Sequence, residues 1–179
     1  MSSAPDKRVG AEDWKGAMRI LITGNGGSGK TWLGTEISSR MSLPLTSLDD
    51  VYWTDAYGGI ARPKEDVFRE VEALAGKDAW VIEGVYGWLL PAALPHATEF
   101  VFIDLPVADC LANVRSRGKQ RAESDASFQS MFDWVAEYPN RTNLNSRLAH
   151  RRLWDEFAGK KEILTSRSDV DRYASLSIG

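Results

Sequence analysis

Apolar residues fall along this chain in two alternating rhythms. Met18-Arg19-Ile20-Leu21-Ile22-Thr23, Trp80-Val81-Ile82 and Phe100-Val101-Phe102-Ile103 are short, nearly unbroken apolar runs, each ending at glycines or an acid. Such a run predicts a strand buried on both faces, because a strand with one wet face alternates apolar and polar positions. Leu43 to Leu48 reads as a weaker second strand and Ile163-Leu164-Thr165 as a last short one. Between these runs, apolar residues recur every three or four positions. Val67, Phe68, Val71, Leu74 and Ala75 do so before Gly76, with Pro63 suited to the first turn. Val107, Cys110, Leu111 and Val114 do so again over residues 107–117. Further helices are predicted over residues 30–40, 128–138, 143–157 and 169–176. Residues 49–62 and 118–127 keep neither rhythm and read as loops. Residues 1–16 are polar and aperiodic and read as a flexible tail, which leaves 17–179 as one domain. Strands alternating with helices predict an α/β chain, a parallel sheet wrapped on both sides.

Composition narrows the setting. Of 179 residues, 43% are hydrophobic and 26% charged, enough apolar material for a core without disulfides or a structural metal. The single cysteine, Cys110, excludes an intrachain disulfide and fits a reducing cytoplasm. No apolar run is long enough to span a membrane, and the first residues lack the apolar stretch of a secretory signal. A net charge of −3 argues against a whole-surface nucleic-acid binder, though not against a local basic groove.

The turn after the first strand carries the strongest chemistry. Gly24-Asn25-Gly26-Gly27-Ser28-Gly29-Lys30-Thr31 fits G-x-x-x-x-G-K-[ST] at every fixed position. Glycines let successive backbone N–H groups turn inward around phosphate oxygens, and the following helix aims its positive end at the same anion. Lys30 supplies a full charge to the β and γ phosphates of ATP, and Thr31 a hydroxyl for Mg²⁺. The strand before the match and the helix after it supply the context that this motif needs. Trp32 follows directly, so a large ring packs at the start of that helix.

Acids stand at the other strand ends, where ligands of such sheets bind. Glu83 is the candidate metal-side carboxylate, acting through water, with an exposed strand-end acid as the plain alternative. Asp49 is the candidate to take a proton from an acceptor hydroxyl, the alternative being a turn or helix-cap aspartate; Asp50 is the weaker of the pair. Asp104 reads as a cap for the helix that follows. Among the basic residues, Arg115, Arg117 and Arg141 are the candidates to neutralise transferring phosphate as a lid closes, with Arg115 first. The other reading of this cluster is a solvated basic helix face. His96 reads as surface loop and His150, beside Arg151 and Arg152, as a helix-surface residue; neither has a partner at zinc-ligand spacing. Trp53, Trp80, Trp88 and Trp134 read as core or rim, and Tyr52 with Trp53 as candidates to line an acceptor pocket.

Beyond the cradle, longer matches resemble the adenylate-kinase-like P-loop proteins, closest to small bacterial proteins labelled DNA-topology-modulation proteins. The likeness runs over residues 18–176. It rests on Leu48-Asp49-Asp50-Val51-Tyr52-Trp53, Trp80-Val81-Ile82-Glu83-Gly84-Val85-Tyr86, Phe102-Ile103-Asp104-Leu105-Pro106, Val114-Arg115-Ser116-Arg117 and Ile163-Leu164-Thr165-Ser166-Arg167-Ser168. The resemblance implies a five-stranded parallel sheet in order 2-3-1-4-5, ATP with Mg²⁺, and a helical lid at about residues 116–145. It implies that Arg167 borders the adenine. Two positions depart from the family pattern: Glu83 stands where Asp is usual and Val85 where Asn is common. The expected activity is phosphoryl transfer from ATP to a nucleotide, nucleoside or other small acceptor. The competing expectations are an ATP-dependent binding module or switch acting on protein or nucleic acid, and a plain ATPase.

Overall fold

The computed structural model describes residues 18–54, 59–119 and 125–176. The proposed tail, the tip of the 49–62 segment and residues 120–124 of the 118–127 loop lie outside the described residues. The strands are β1 (Arg19–Gly24), β2 (Leu45–Ser47), β3 (Trp80–Glu83), β4 (Glu99–Ile103) and β5 (Lys160–Leu164). They form one five-stranded sheet in order β2-β3-β1-β4-β5, and every pairing is parallel. The helices are α1 (Lys30–Met41), α2 (Leu48–Tyr52), α3 (Lys64–Ala75), α4 (Leu90–Ala93), α5 (Val107–Arg117), α6 (Asp125–Ala136), α7 (Arg147–Glu156) and α8 (Arg167–Leu176). A short 3-10 turn covers Leu94–His96.

The unbroken runs are buried on both faces, as their composition requires. Ile20, Ile22, Val81, Val101 and Ile103 meet Leu33 and Ile37 of α1, Cys110 and Val114 of α5 and Val170 of α8 on one side. The alternate positions Leu21, Trp80, Ile82 and Phe100 meet Val67 and Val71 of α3 with Leu89 and Leu90 on the other. Each fully buried Leu or Ile stabilises the sheet by about 1.5–3 kcal/mol relative to exposure. Among the described residues no helix is long and apolar enough to cross a membrane.

Several elements differ from expectation, each for a local reason. Residues 49–62 do not stay loop throughout, because Leu48 and Val51 are buried and pull 48–52 into the short helix α2. Pro63 sits one residue before α3, as its cap, not within the first turn. The last strand starts at Lys160, since an edge strand with one neighbour keeps polar residues that hide it from an apolar-run search. The segment 90–96, unassigned from the sequence, holds α4 and the 3-10 turn.

Candidate active site

Sheet register decides what meets at the top of the fold. Ser47, Glu83 and Ile22 lie side by side on β2, β3 and β1, one step below the loop that begins at Gly24. That loop is shaped by backbone strain only glycine accepts. Gly27 has φ +72, and a Cβ there would lie 2.4 Å from the Cys110 carbonyl oxygen of α5. Gly29, at φ +92, then leads into α1 with Lys30 and Thr31 in its first turn. Lys30 is nearly buried, and its Nζ donates to the Asn25 carbonyl at 2.8 Å.

Thr31 Oγ1 donates to Glu83 Oε1 at 3.0 Å, so the two candidate metal-side groups are in contact. Glu83 is 1% exposed, and its second oxygen, Oε2, has no partner among the described residues. Burial raises its pKa, and the neighbouring Lys30 charge works in the opposite direction. Ser28 Oγ is a second buried oxygen without a partner there. Two orphaned buried oxygens beside a glycine-built concavity and a buried lysine suit a bound polyanion and its cation, since such groups seldom go unpaired. The residues present therefore fit ATP with Mg²⁺, which the loop backbone, Lys30, Thr31 and Glu83 would hold.

The cradle opens into a cavity of about 320 Å³ bordered by Lys30, Thr31, Trp32, Asn113, Arg117 and Arg167. Trp32 is partly exposed, and the Arg167 guanidinium lies 4.5 Å from its ring centroid. Arg117 thus borders the same cavity as Lys30. Arg115, ranked first from the sequence, instead leans on Phe132 of α6, 5.5 Å from the ring centroid, and does not border this cavity. The two differ because residues two apart on a helix point about 200° apart.

Arg141 is placed unlike a mobile lid cation. Its guanidinium lies 3.8 Å from the Trp134 ring centroid and donates to the carbonyls of Asn145, at 2.7 Å, and of Trp134. Half-buried, with its Nε left without a partner among the described residues, it ties the α6–α7 connection through its terminal nitrogens. Asp104 caps nothing, since Pro106 occupies the cap of α5; it takes a two-pronged ion pair from Arg147 at 2.7 Å. His150 is not on the surface either. It is fully buried, and its Nε2 bonds the Val85 carbonyl at 3.0 Å. A carbonyl only accepts, so Nε2 carries the proton and Nδ1 accepts from Tyr138 Oη at 2.7 Å. Burial holds the His150 pKa down to about 3.

On the other side of the cradle is a cavity of about 520 Å³ that the sequence predicted only through Tyr52 and Trp53. Tyr86, Trp88, Met131 and Trp134 also form its walls. Trp53 Nε1 donates to Tyr86 Oη at 2.8 Å, and Tyr86 Oη donates in turn to Asp49 Oδ1. Burial and the Asp49 charge together push the Tyr86 pKa upward. Asp49 is exposed on α2 and joined to the cavity through that bond; Asp50 is exposed beside it. Sequence reasoning missed the role of α6. Its Met131, Trp134 and Val135 crowd Gly26 so closely that a Cβ there would come within 3.1 Å of each. Asn25 Nδ2 also donates to the Val135 carbonyl at 3.0 Å. One helix therefore touches both the cradle and the aromatic cavity.

Comparison with solved structures agrees with this architecture. Shikimate kinase from Acinetobacter baumannii in complex with shikimate superposes with a TM-score of 0.56 at 15% identity, over 93% of this chain and 94% of that one. A gluconokinase from Sinorhizobium meliloti 1021 gives 0.54 at 16% identity, over 92% and 93%. An unliganded sugar kinase from Janibacter sp. HTCC2649 gives 0.52 at 15%, over 91% and 96%. The fold is that of the P-loop kinases. No protein-family model matches the chain, and no curated protein does.

Proposed function

We propose that this protein is an ATP-dependent kinase that moves the γ-phosphoryl group to a hydroxyl of a small acceptor. The observation that carries the reading is the pairing of two cavities across one loop. A phosphate cradle with a buried lysine lies on one side, and an open cavity with aromatic walls, linked to a carboxylate, lies on the other. A nucleotide switch or a plain ATPase has no need of the second cavity. The kinase names of the structural neighbours support the same reading at the level of fold.

In this reading the loop amides and Lys30 bind and orient the phosphates, and Arg117 adds charge at the side of the cradle. Thr31 with Glu83 would hold Mg²⁺, which when bound would supply neutralising charge to the phosphate oxygens. Asp49 accepts the acceptor's hydroxyl proton as the new oxygen–phosphorus bond forms and the bond to the bridging oxygen breaks; ADP leaves with that electron pair. Tyr86 holds Asp49 by donating to one of its oxygens, which leaves the other to face an acceptor. Catalysis here is positioning and charge stabilisation more than covalent chemistry.

The test is ADP release from ATP and Mg²⁺ across nucleosides, nucleoside monophosphates, sugar acids and shikimate-like alcohols. Stimulation by one class, lost in Lys30→Ala, is the expected result. Tight ATP binding with no stimulation by any class would move the assignment to a nucleotide-dependent switch.

A further inference from the structure

Asn25 and Gly26 occupy free positions of the G-x-x-x-x-G-K-[ST] motif, where phosphate binding does not dictate the residue. Gly27 and Gly29 need glycine for their left-handed backbone, whereas the φ of Gly26 lies outside that region. A different constraint explains glycine here. A Cβ on Gly26 would lie 2.9 Å from Val135 Cγ2, 3.1 Å from Met131 Cε and 3.1 Å from the Trp134 ring. All three belong to α6. The missing side chain is the hole into which that helix settles, a close approach that only glycine permits.

Asn25 spends its side chain on the same helix. It is 1% exposed, and its Oδ1 accepts from Gly26 N at 2.8 Å. Only oxygen can accept from an N–H, so the amide is turned with Nδ2 toward the Val135 carbonyl, 3.0 Å away. Val135 stands in the last turn of α6, where carbonyls run out of donors within the helix. Its other described donor is Tyr138 N, at 3.4 Å. Asn25 thus caps α6 from outside, with a side chain of the phosphate loop. The helix seated this way carries Met131 and Trp134, which are walls of the acceptor-side cavity.

We infer that Asn25 and Gly26 are positioning residues for the acceptor. The hole at Gly26 and the cap from Asn25 seat α6 and so fix where Met131 and Trp134 stand relative to the cradle. The inference rests on the kinase reading for the acceptor itself. The fixed positions of the motif serve the phosphates, and these two free ones tie the acceptor wall to them.

Two variants attack the seat in different ways. Gly26→Ala fills the hole without deleting a hydrogen bond, and Asn25→Ala removes the cap and leaves the hole. Uridine, uridine monophosphate, gluconate and shikimate are compared by ADP release, and the probe that releases most is carried into steady-state kinetics. Each variant is expected to raise the KM of that probe at least roughly fivefold more than the KM of ATP. Hydrogen exchange of the amides over residues 128–136 is expected to quicken at least roughly tenfold in both full-length variants. The double variant should do little more than either single one, because both act through one seat. A KM for ATP that rises as much as that of the probe makes the pair phosphate ligands and overturns the inference, as does exchange that stays unchanged in both variants. If no probe stimulates the native protein, the kinase reading falls and exchange alone decides the seat.

Discussion

The two cavities beside the loop are built in opposite ways. The nucleotide side is made mainly by contiguous residues, 24 to 32, and mainly by backbone. Its shape follows from glycine conformations and from one helix start, and from farther along it takes Glu83, one face of α5 from Asn113 to Arg117, and Arg167. The acceptor side draws on α2, the loop after β3, α6 and the segment before α7, and it is made of side chains. A cradle for phosphate can be generic because phosphate is the same in every reaction. An acceptor wall must be specific, so its residues are scattered and chosen one by one.

The sharpest way to test that division is to remove the one side chain on which the generic half depends. Lys30→Ala takes away the buried cation and leaves the backbone cradle, so acceptor-dependent ADP release should fall by roughly 100-fold or more. Unfolding by denaturant should change little, because among the described residues the Lys30 side chain makes a single hydrogen bond, to the Asn25 carbonyl. A loss of activity under tenfold would place the phosphate charge elsewhere.

The acceptor half should fail through structure instead. His150→Leu leaves Tyr138 Oη and the Val85 carbonyl without partners in the core, at about 1–3 kcal/mol each. The loop after β3 that carries Tyr86 and Trp88 would loosen with them. The pH dependence has a defined sign. Folded His150 stays neutral down to about 3, whereas the unfolded chain protonates near the ordinary 6.5. Stability from this residue is therefore complete above pH 6.5 and is lost as pH falls toward 3, by at most about 1.4 kcal/mol per unit. Denaturant unfolding across that range should show the slope in the native protein and a shallower one in the variant.

His150 also shows how far the sequence could be read. Its neighbours Arg151 and Arg152 suggested a surface, yet the helical spacing held the opposite signal. Ser146, Leu153 and Trp154 fall at four before, three after and four after, which puts His150 on the inward face of α7. The cradle, all five strands (the last with its start misplaced) and most helices were legible, because a glycine motif and apolar runs act locally. The strand order came through the family resemblance, since no local pattern encodes which strands become neighbours. The aromatic cavity was mostly hidden: Trp88, Trp134 and Asn145 have no shared sequence signature, and tertiary packing alone unites them. Arg141 misled for the same reason, its partners Trp134 and Asn145 being visible only once α6 and α7 are in place.

Glu83 stands where the two halves touch. Glu83→Gln keeps the shape and the Thr31 contact but removes the charge, so the Mg²⁺ concentration for half-maximal ADP release should rise about 10- to 100-fold. Its pH effect has the reverse sense of that of His150. Burial raises the folded pKa above the ordinary 4.5, so between those values the folded chain holds a proton that the unfolded chain has released. Stability falls as pH rises through that window, and thermal melting should show Gln at this position removing the fall. An unchanged Mg²⁺ requirement would take Glu83 out of the metal role.

The smallest effect separates two arginines that look equivalent in the sequence. Arg117 borders the phosphate cavity, whereas Arg115 leans on Phe132 of α6. Removing a charge that meets phosphate costs about 1.5–3 kcal/mol, so Arg117→Ala should lower kcat at least roughly tenfold. Removing an exposed cation from an aromatic face costs about 0.5–1 kcal/mol, which bounds Arg115→Ala at roughly two- to fivefold, acting through the seating of α6. Steady-state kinetics of both variants with saturating ATP decide the matter. If Arg115→Ala proves the more damaging, α5 turns its other face to the phosphates when the lid segment closes, and the division between a preformed generic half and an assembled specific half gives way to a site completed by motion.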